Sequence, residues 1–360
     1  MTGGSLADQD NTTLRGAPWV RALVLGACSV ALVAAGGCRR VVTSADPHPL
    51  SPGRVIGGPG GEPGNFIKPR AIDTDGKNLV VIDRSGRIQI LEPEKGRCLA
   101  YWKLPYTELG YPTGVTLAPS PKGDGAEAVW VADTHYNRVL VYAMPPIPTD
   151  GSVGTTQPEL LLTIGKYGTG PGEFTYPSDV LVLCEPDGKT IKRVYIPEFG
   201  GNDRISIFEP RGADKALTFV SAIGHGGDAA DLTGFQRPQT VILRPGDEKR
   251  ADELLITDSI NHRVGRFDLE GKLIKWFNGD GQFGREPGKF CHPRGLLMLE
   301  DGTAMVVEFG NNRLQRIDLE TGECLGLYGA PAPKKERSPN RGRSRPSGVA
   351  ALSLTRTIIG

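Results

Sequence analysis

The heptapeptide Pro171-Gly172-Glu173-Phe174-Thr175-Tyr176-Pro177 is one of three copies of the pattern Pro-Gly-x-Phe-x-x-Pro in this chain of 360 residues. The other full copies are Pro63–Pro69 and Pro287–Pro293. Shorter copies are Gly110–Pro112, Gly234–Pro238 and Arg345–Val349. The anchoring prolines 69, 112, 177, 238, 293 and 346 are separated by 43 to 65 residues. A repeat of this length indicates stacked supersecondary units.

Each anchor proline is followed by four short apolar runs. The second run ends in an acid, and an arginine opens the third. The acids are Asp83, Asp133, Glu198, Asp258 and Glu308, and the arginines are Arg87, Arg138, Arg204, Arg263 and Arg313. Short β-rich runs cut by Asp-Gly turns are strand and hairpin signals. Four antiparallel strands per repeat describe a propeller blade, because radial repetition protects the sheet edges. We therefore predict an all-β propeller with five full four-stranded blades and an incomplete sixth.

The series Pro-x-Gly-Val…Val-x-Asp-x-x-Asn-x-Arg-Val…Gly resembles the NHL repeat, with the best copies at Pro112–Val139 and Pro293–Leu314. The resemblance covers roughly residues 55–330 and implies a β-propeller that is usually six-bladed and serves as an interaction platform. Blade one departs from it at Ser85-Gly86-Arg87, and blade three carries an extra residue within Gly200–Arg204. The sixth copy is not completed, and we expect Val55-Ile56-Gly57 to supply its outer strand.

The N-terminus resembles a bacterial lipoprotein signal. Ala22–Gly37 is uncharged and mostly apolar. It is short for a membrane span, which needs about 20 residues, and it suits a signal-peptide core. Ala35-Gly36-Gly37-Cys38 resembles a lipoprotein box and implies a lipid on Cys38. The chain would then be a membrane-anchored lipoprotein of the bacterial cell envelope, facing the periplasm or the exterior. Ordinary cleavage near this position and an uncleaved anchor remain alternatives.

The chain divides into one folded unit with tails. We assign 1–38 to the signal and lipid anchor, 39–54 to a linker and 55–330 to the propeller. We assign 331–345 to a basic flexible segment and 346–360 to a partial sixth blade. The net charge is +6 for 331–360 and −5 for 39–330. No basic stripe marks the propeller as a nucleic-acid surface.

Cysteines and histidines give weak signals for a metal. Cys98, Cys184, Cys291 and Cys324 have no metal or redox spacing, so we expect buried thiols that pack as small hydrophobes. The four histidines of the propeller fall in turns and connectors on one predicted face, and they are weak metal candidates: His135, His225, His262 and His292. A related propeller lyase holds zinc through histidines. Its ligands cannot be carried over, because no histidine here lies on an inner strand beyond the anchor proline.

The mouth of the central channel is the predicted binding site. Residues just after each anchor proline should ring it, and the ligand-binding candidates are Arg70, Thr113, Asp179, Gln239 and Arg294. Two arginines and one acid could hold a small anion or an acidic peptide, and a water-filled mouth is the alternative. We therefore expect a non-catalytic, cofactor-free scaffold at the cell envelope that presents a propeller face to a protein or a glycan. The alternative is a metal-dependent lyase or hydrolase of the same propeller type.

Overall fold

The computed structural model describes residues 55–329 and the backbone of Ser353–Leu354, and within them five four-stranded antiparallel sheets form the blades of a propeller. Blade one is β1 (Pro69–Thr74), β2 (Leu79–Asp83), β3 (Arg87–Leu91) and β4 (Cys98–Lys103). Blade two is β5 (Gly114–Pro119), β6 (Glu127–Asp133), β7 (Arg138–Ala143) and β8 (Leu160–Ile164). Blade three is β9 (Leu181–Cys184), β10 (Ile191–Glu198), β11 (Arg204–Arg211) and β12 (Ala216–Ile223).

Two short strands, β13 (His225–Gly226) and β14 (Gly234–Phe235), pair in the connector that follows blade three. Blade four is β15 (Pro238–Arg244), β16 (Glu253–Asp258), β17 (Arg263–Asp268) and β18 (Leu273–Phe277). Blade five is β19 (Pro293–Met298), β20 (Ala304–Glu308), β21 (Arg313–Ile317) and β22 (Cys324–Tyr328). Every second strand ends at the predicted acid and every third strand begins at the predicted arginine, so the repeat pattern located the hairpins correctly. The described residues contain one 3₁₀ turn, Thr134–Tyr136, and no α-helix.

Contacts and burial show which strand of each blade lies near the axis and which lies outermost. The first strands contact one another in the order β1, β5, β9, β15 and β19, which places them around the axis. The middle strands β2 and β3 are buried along their whole length, whereas the outer strand β4 alternates buried and accessible residues. Apolar clusters lie between neighbouring blades. One of them joins Ile164 of blade two to Phe208 of blade three through the fully buried loop side chain of Phe174.

The repeated acid and arginine form ion pairs in all five blades, as the sequence suggested: Asp83–Arg87, Asp133–Arg138, Glu198–Arg204, Asp258–Arg263 and Glu308–Arg313. These pairs are shielded from solvent to different degrees. The five acids are buried, and both side chains of Asp258–Arg263 are fully buried. Breaking a buried pair leaves an uncompensated charge, so these pairs matter more than surface pairs do.

One further described strand lies between the first and the last blade. β23 (Ser353–Leu354) pairs in parallel with β1 at Ala71 and Ile72, and it also contacts β19 of blade five. Residues 55–57 are not in a strand, and Ile56 instead packs on the cluster of blade one that contains Leu79 and Cys98. The expectation that 55–57 forms the outer strand of a sixth blade was therefore wrong. This segment continues directly into the connector of blade one, which holds it against that blade.

The remaining segments give less information. Residues 1–54, including Cys38, lie outside the described residues, as do all of 331–345 and all of 346–360 except Ser353–Leu354. Among the described residues no helix has the length and hydropathy needed to cross a membrane.

The four cysteines among the described residues are free thiols. Cys98 is buried as expected, but Cys184, Cys291 and Cys324 are only half-buried, because each lies at a strand end or in a connector.

Candidate functional site

The connectors between blades and the turns between second and third strands form one surface, which we call the loop face. Their contacts show this directly. The carboxylate of Glu198, at the end of β10, accepts the backbone N–H of Thr175 in the connector at 2.9 Å. Arg263, at the start of β17, donates to the connector carbonyls of Ala229, Asp231 and Gly234 at 2.7 to 3.1 Å. The loop face surrounds the end of the channel at which the first strands begin.

Successive blades are linked across the loop face by a repeated hydrogen bond. In each link, the acceptor is the side chain of the residue that precedes the arginine at the start of a third strand. The donor is the backbone N–H of the residue that precedes the anchor proline of the next blade. The three links join Asn137 to Tyr176 at 3.0 Å, Asp203 to Arg237 at 2.6 Å and His262 to His292 at 3.1 Å. All six residues have positive φ, between 44° and 60°. Left-handed backbone is uncommon outside glycine, so this link constrains the local geometry of three connectors.

Several of the predicted channel-mouth residues join inner strands to one another. The Thr113 hydroxyl donates to the carbonyl of Ser178 at 3.1 Å, and the Ser178 hydroxyl lies 3.2 Å from the carbonyl of Pro238. The Thr240 hydroxyl donates to the carbonyl of Arg294 at 2.7 Å. Thr113 and its equivalents therefore hold the ring together. The Gln239 amide bonds only weakly, at 3.5 Å, to the neighbouring carbonyl of Pro238.

Asp179 lies deeper than the sequence suggested. Its side chain is fully buried, and neither carboxylate oxygen makes a hydrogen bond of good geometry. Burial raises the pKa of Asp179 well above its usual value, and the nearby Asp73 raises it further, although the N–H groups of Val180 and Val241 act in the opposite direction. Asp179 is therefore a desolvated acid between inner strands and not a side chain displayed at the mouth.

Four arginines converge at the channel mouth. Arg70 and Arg294 begin the inner strands of blades one and five, as predicted, and Arg84 and Arg237 join them from a turn and a connector. Desolvation by burial lowers the pKa of Arg70, and the charges of Arg84 and Arg237 lower it further. Burial, followed by the charges of Arg237 and Arg70, lowers the pKa of Arg294 to about 10. The four side chains therefore form one electropositive group.

This group, the arginine cluster, is supported by aromatic rings and not by carboxylates. The guanidinium of Arg294 lies 3.9 Å from the ring centre of Phe309, and that of Arg237 lies 4.5 Å from Phe199. Arg84 lies 5.3 Å from the ring of Tyr111. Within residues 55–329, none of the four arginines forms an ion pair, and the Nε atoms of Arg237 and Arg294 are buried without an acceptor. Such a site favours an anion, because its positive charges are uncompensated and partly desolvated.

The structure brings two of the four candidate histidines together. His262 and His292 lie with ring centres 4.5 Å apart, and one ligand atom from each lies within 4.8 Å of the Cys291 sulfur. His135 contacts Tyr111 instead, and His225 pairs with Asp231 at 2.8 Å. Nitrogen and sulfur ligands suit zinc. However, Nδ1 of His262 already accepts the blade-to-blade N–H, so the proton of the neutral ring is on Nε2.

The surroundings of this group also oppose a cation. Burial lowers the pKa of His292, and the charges of Arg294 and Arg237 lower it further. Burial raises the pKa of the Cys291 thiol, which must lose its proton to bind a metal. The blade-to-blade hydrogen bond explains the position of His262 without a metal, because Asn137 and Asp203 accept the equivalent backbone N–H in other blades. The three side chains therefore fit a metal poorly.

Exposed apolar side chains are concentrated on the loop face. Nine of the twelve large ones in the described residues lie in connectors, in the segment leading into blade one or in a second-to-third turn, and only three lie elsewhere. The nine are Val55, Ile67, Tyr106, Leu109, Tyr167, Tyr176, Leu232, Phe283 and Phe309, and the other three are Ile147, Leu160 and Ile274. Aromatic residues and arginines with apolar neighbours are the composition enriched at protein interfaces.

Comparisons with known proteins agree with the repeat pattern. No protein-family model matches the chain. NHL repeat-containing protein 3 of Homo sapiens is 29% identical over 147 residues, which are 37% of this chain and 41% of that protein. Protein Suppressor of Quenching 1, chloroplastic, of Arabidopsis thaliana is 32% identical over 106 residues, which are 26% of this chain and 10% of that protein. The chain thus spans less than half the length of these relatives.

These similarities and the blades support an NHL-type β-propeller. Among solved structures, a streptogramin B lyase aligns with a TM-score of 0.43 and 17% identity over 74% of this chain and 70% of that one. A protein of unknown function from Bacteroides caccae aligns with a TM-score of 0.46 and 14% identity over 72% of this chain and 81% of that one.

Sequence reasoning found Arg70 and Arg294 but missed Arg84, Arg237 and their aromatic supports. The signal was available in the repeat register. Arg237 immediately precedes an anchor proline, and Arg84 and Phe309 immediately follow the acid of their blades. Both positions lie in the connectors and second-to-third-strand turns that form the loop face.

Proposed function

We propose that this chain is a non-catalytic binding scaffold, anchored at the bacterial cell envelope through a lipid on Cys38, that presents its loop face to a protein partner. The observation that carries the proposal is the concentration of exposed aromatic and aliphatic side chains on that one face. A contiguous apolar surface rimmed by charge is typical of interaction sites. A protein partner is favoured over a glycan, because several of these side chains are aliphatic and cannot stack on a sugar.

Capture of envelope proteins by two matched variants tests the proposal. Tyr167→Ser with Phe283→Ser removes two exposed aromatic rings from the loop face, whereas Leu160→Ser with Ile274→Ser removes two exposed side chains elsewhere. With the lipidated protein as bait, quantitative mass spectrometry should show a partner that the first variant loses and the second retains. Equal retention by both variants would place binding on another surface. Because all four positions are exposed, neither variant should unfold.

A metal-dependent lyase or hydrolase is the second candidate: the proximity of His262, Cys291 and His292 supports it, and their poor fit to a metal ranks it below the scaffold. Metal analysis of the purified, zinc-supplemented protein separates the two functions. Stoichiometric zinc that is lost in a His292→Ala variant would favour the enzyme. A scaffold of the kind proposed retains no zinc after dialysis.

We also propose that the ring is closed by an incomplete sixth blade, of which β23 is the inner strand. The contacts of β23 with both β1 and β19 support this, because they place it between the inner strands of blades one and five. Closure removes free sheet edges, which are otherwise sites of aggregation.

A further inference from the structure

Within the described residues, no carboxylate pairs with a guanidinium group of the arginine cluster, and the Asp203 carboxylate bonds Arg237 only at its backbone N–H. Arg70 and Arg84 belong to blade one, Arg294 lies in the inner strand of blade five, and Arg237 lies in the connector before blade four with its guanidinium over Phe199 of blade three. The positive charge is therefore contributed by blades one and five and by the connector between blades three and four. Protein folds pair desolvated charges where they can, so the partly buried and unpaired guanidinium groups of Arg70, Arg237 and Arg294 point to an external anion.

The aromatic supports fix the guanidinium planes. Arg294 lies over Phe309 and Arg237 over Phe199, and Phe199 is in turn stacked on Tyr176 with ring centres 5.5 Å apart. A guanidinium that contacts a ring makes no hydrogen bond to it, so the terminal NH₂ groups of Arg237 and Arg294 can bond the two oxygens of a carboxylate. The stacking therefore preorganises the cluster for planar anions.

The rings themselves are accessible. Tyr176 and Phe309 are exposed, and Phe199 is half-exposed. Apolar surface thus lies directly beside the cationic edges, within the wider apolar loop face. A free inorganic anion or a nucleic-acid backbone would use the charges and leave this apolar surface unused. A polypeptide with acidic and apolar side chains would use both.

We propose that the channel mouth binds an acidic segment of the protein partner, whose carboxylates bond Arg70, Arg84, Arg237 and Arg294 while neighbouring apolar side chains cover Tyr176 and Phe309. This inference rests on the proposed function and specifies the chemistry of the partner. It also assigns binding roles to Arg84 and Arg237 beside Arg70 and Arg294.

A fluorescent oligoglutamate peptide with interspersed leucines is the probe, and the same peptide with glutamine in place of glutamate is its control. Fluorescence anisotropy at low salt should show binding of the first and not of the second. Arg237→Gln with Arg294→Gln should weaken binding by about a hundredfold or more, since each lost charge-assisted bond is worth about tenfold or more in affinity. Arg97→Gln with Arg211→Gln removes the same charge from exposed sites elsewhere and should change affinity less than about twofold.

Three results would overturn the inference. In the first, the glutamate peptide fails to bind. In the second, the control variant weakens binding as much as the cluster variant. In the third, inorganic phosphate or a single-stranded oligonucleotide displaces the peptide at a lower concentration than that at which the peptide itself binds. Circular dichroism melting of both variants shows whether either has unfolded. If the cluster variant unfolds, Arg237→Lys with Arg294→Lys replaces it; this variant keeps the charge, loses the two-bond geometry and should still weaken peptide binding. If loop-face serine variants lose the captured protein while cluster variants keep it, the scaffold function stands and this inference fails.

Discussion

His262 and Asn137 occupy equivalent places in different blades, and each accepts the backbone N–H of the residue before the next anchor proline. Asparagine should therefore replace His262 with little effect, because its Oδ1 accepts the same bond and tolerates the same positive φ. We expect the unfolding free energy of His262→Asn to remain within about 0.5 kcal/mol of wild type and that of His262→Ala to fall by about 1 kcal/mol. Urea denaturation with and without a chelator measures both. An equal loss in the two variants, together with stabilisation of the wild type alone by zinc, would indicate a metal site.

Asp179 predicts a dependence of stability on pH. Its pKa in the folded protein is raised by burial, above the unfolded value of about 3.9. Its contribution to stability is therefore fully present below about pH 4 and is lost as pH rises through the folded-state pKa. Asp179→Asn cannot ionise, so its advantage over wild type should grow as pH rises. Melting temperatures of both proteins at several pH values from about 4 to 8 test this. Parallel curves would show that Asp179 does not titrate as inferred.

Individual residues show where sequence reasoning reached its limit. Arg70 and Arg294 were identified because they follow anchor prolines, and the proline register also located every acid and arginine of the turns. Asp179 was placed at the mouth by the same rule, but the chain there passes between inner strands and buries the side chain. The convergence of Arg84 and Arg237 depends on the radial arrangement of blades one and four, which no local sequence pattern specifies.

At the scale of the elements, the arginine at the start of a third strand can bond the connector that precedes its blade as well as the acid of its own hairpin. Arg263 pairs with Asp258, donates to three connector carbonyls and lies 3.8 Å from the ring centre of Trp276. Arg138 pairs with Asp133 and contacts Tyr106 and Tyr136, but no hydrogen bond joins it to a carbonyl of the described connectors. Blade two has the shortened proline copy, so the loop that would receive these bonds is missing there.

Because Arg263 bonds its connector and Arg138 does not, replacing each by alanine should have different effects. Arg263→Ala should lower the unfolding free energy by about 3–5 kcal/mol, because Asp258 remains buried without its cation. It should also speed amide hydrogen exchange in the connector 227–234, whose carbonyls lose their donor. Arg138→Ala is the control. It removes an equivalent ion pair but should leave the amide exchange of its own connector, 105–112, unchanged. Equal protection of 227–234 in wild type and Arg263→Ala would show that the connector is held by other contacts.

On the scale of the whole molecule, the ring depends on how blade one meets blade five. The repeat count predicted five full blades and a partial sixth, and the structure describes five blades and one short strand beside β1. The sequence could not place 55–57, because Ile56 fits equally well as the end of a strand or as a cover for blade one. Tertiary packing on the cluster that includes Leu79 decided between these two positions.

The short strand β23 provides the final prediction. A chain ending after Leu352 lacks Ser353–Leu354, which pair with Ala71 and Ile72 of β1, whereas a chain ending after Arg356 keeps them. If β23 closes the ring, the shorter chain should lose about 1–3 kcal/mol of unfolding free energy, corresponding to roughly two net backbone hydrogen bonds. Its exposed β1 edge should also make it aggregate sooner on heating, because an unpaired strand edge can recruit a second molecule. The longer chain should match the full-length protein in urea denaturation and in light scattering. Identical curves for all three chains would mean that blades one and five hold the ring without β23.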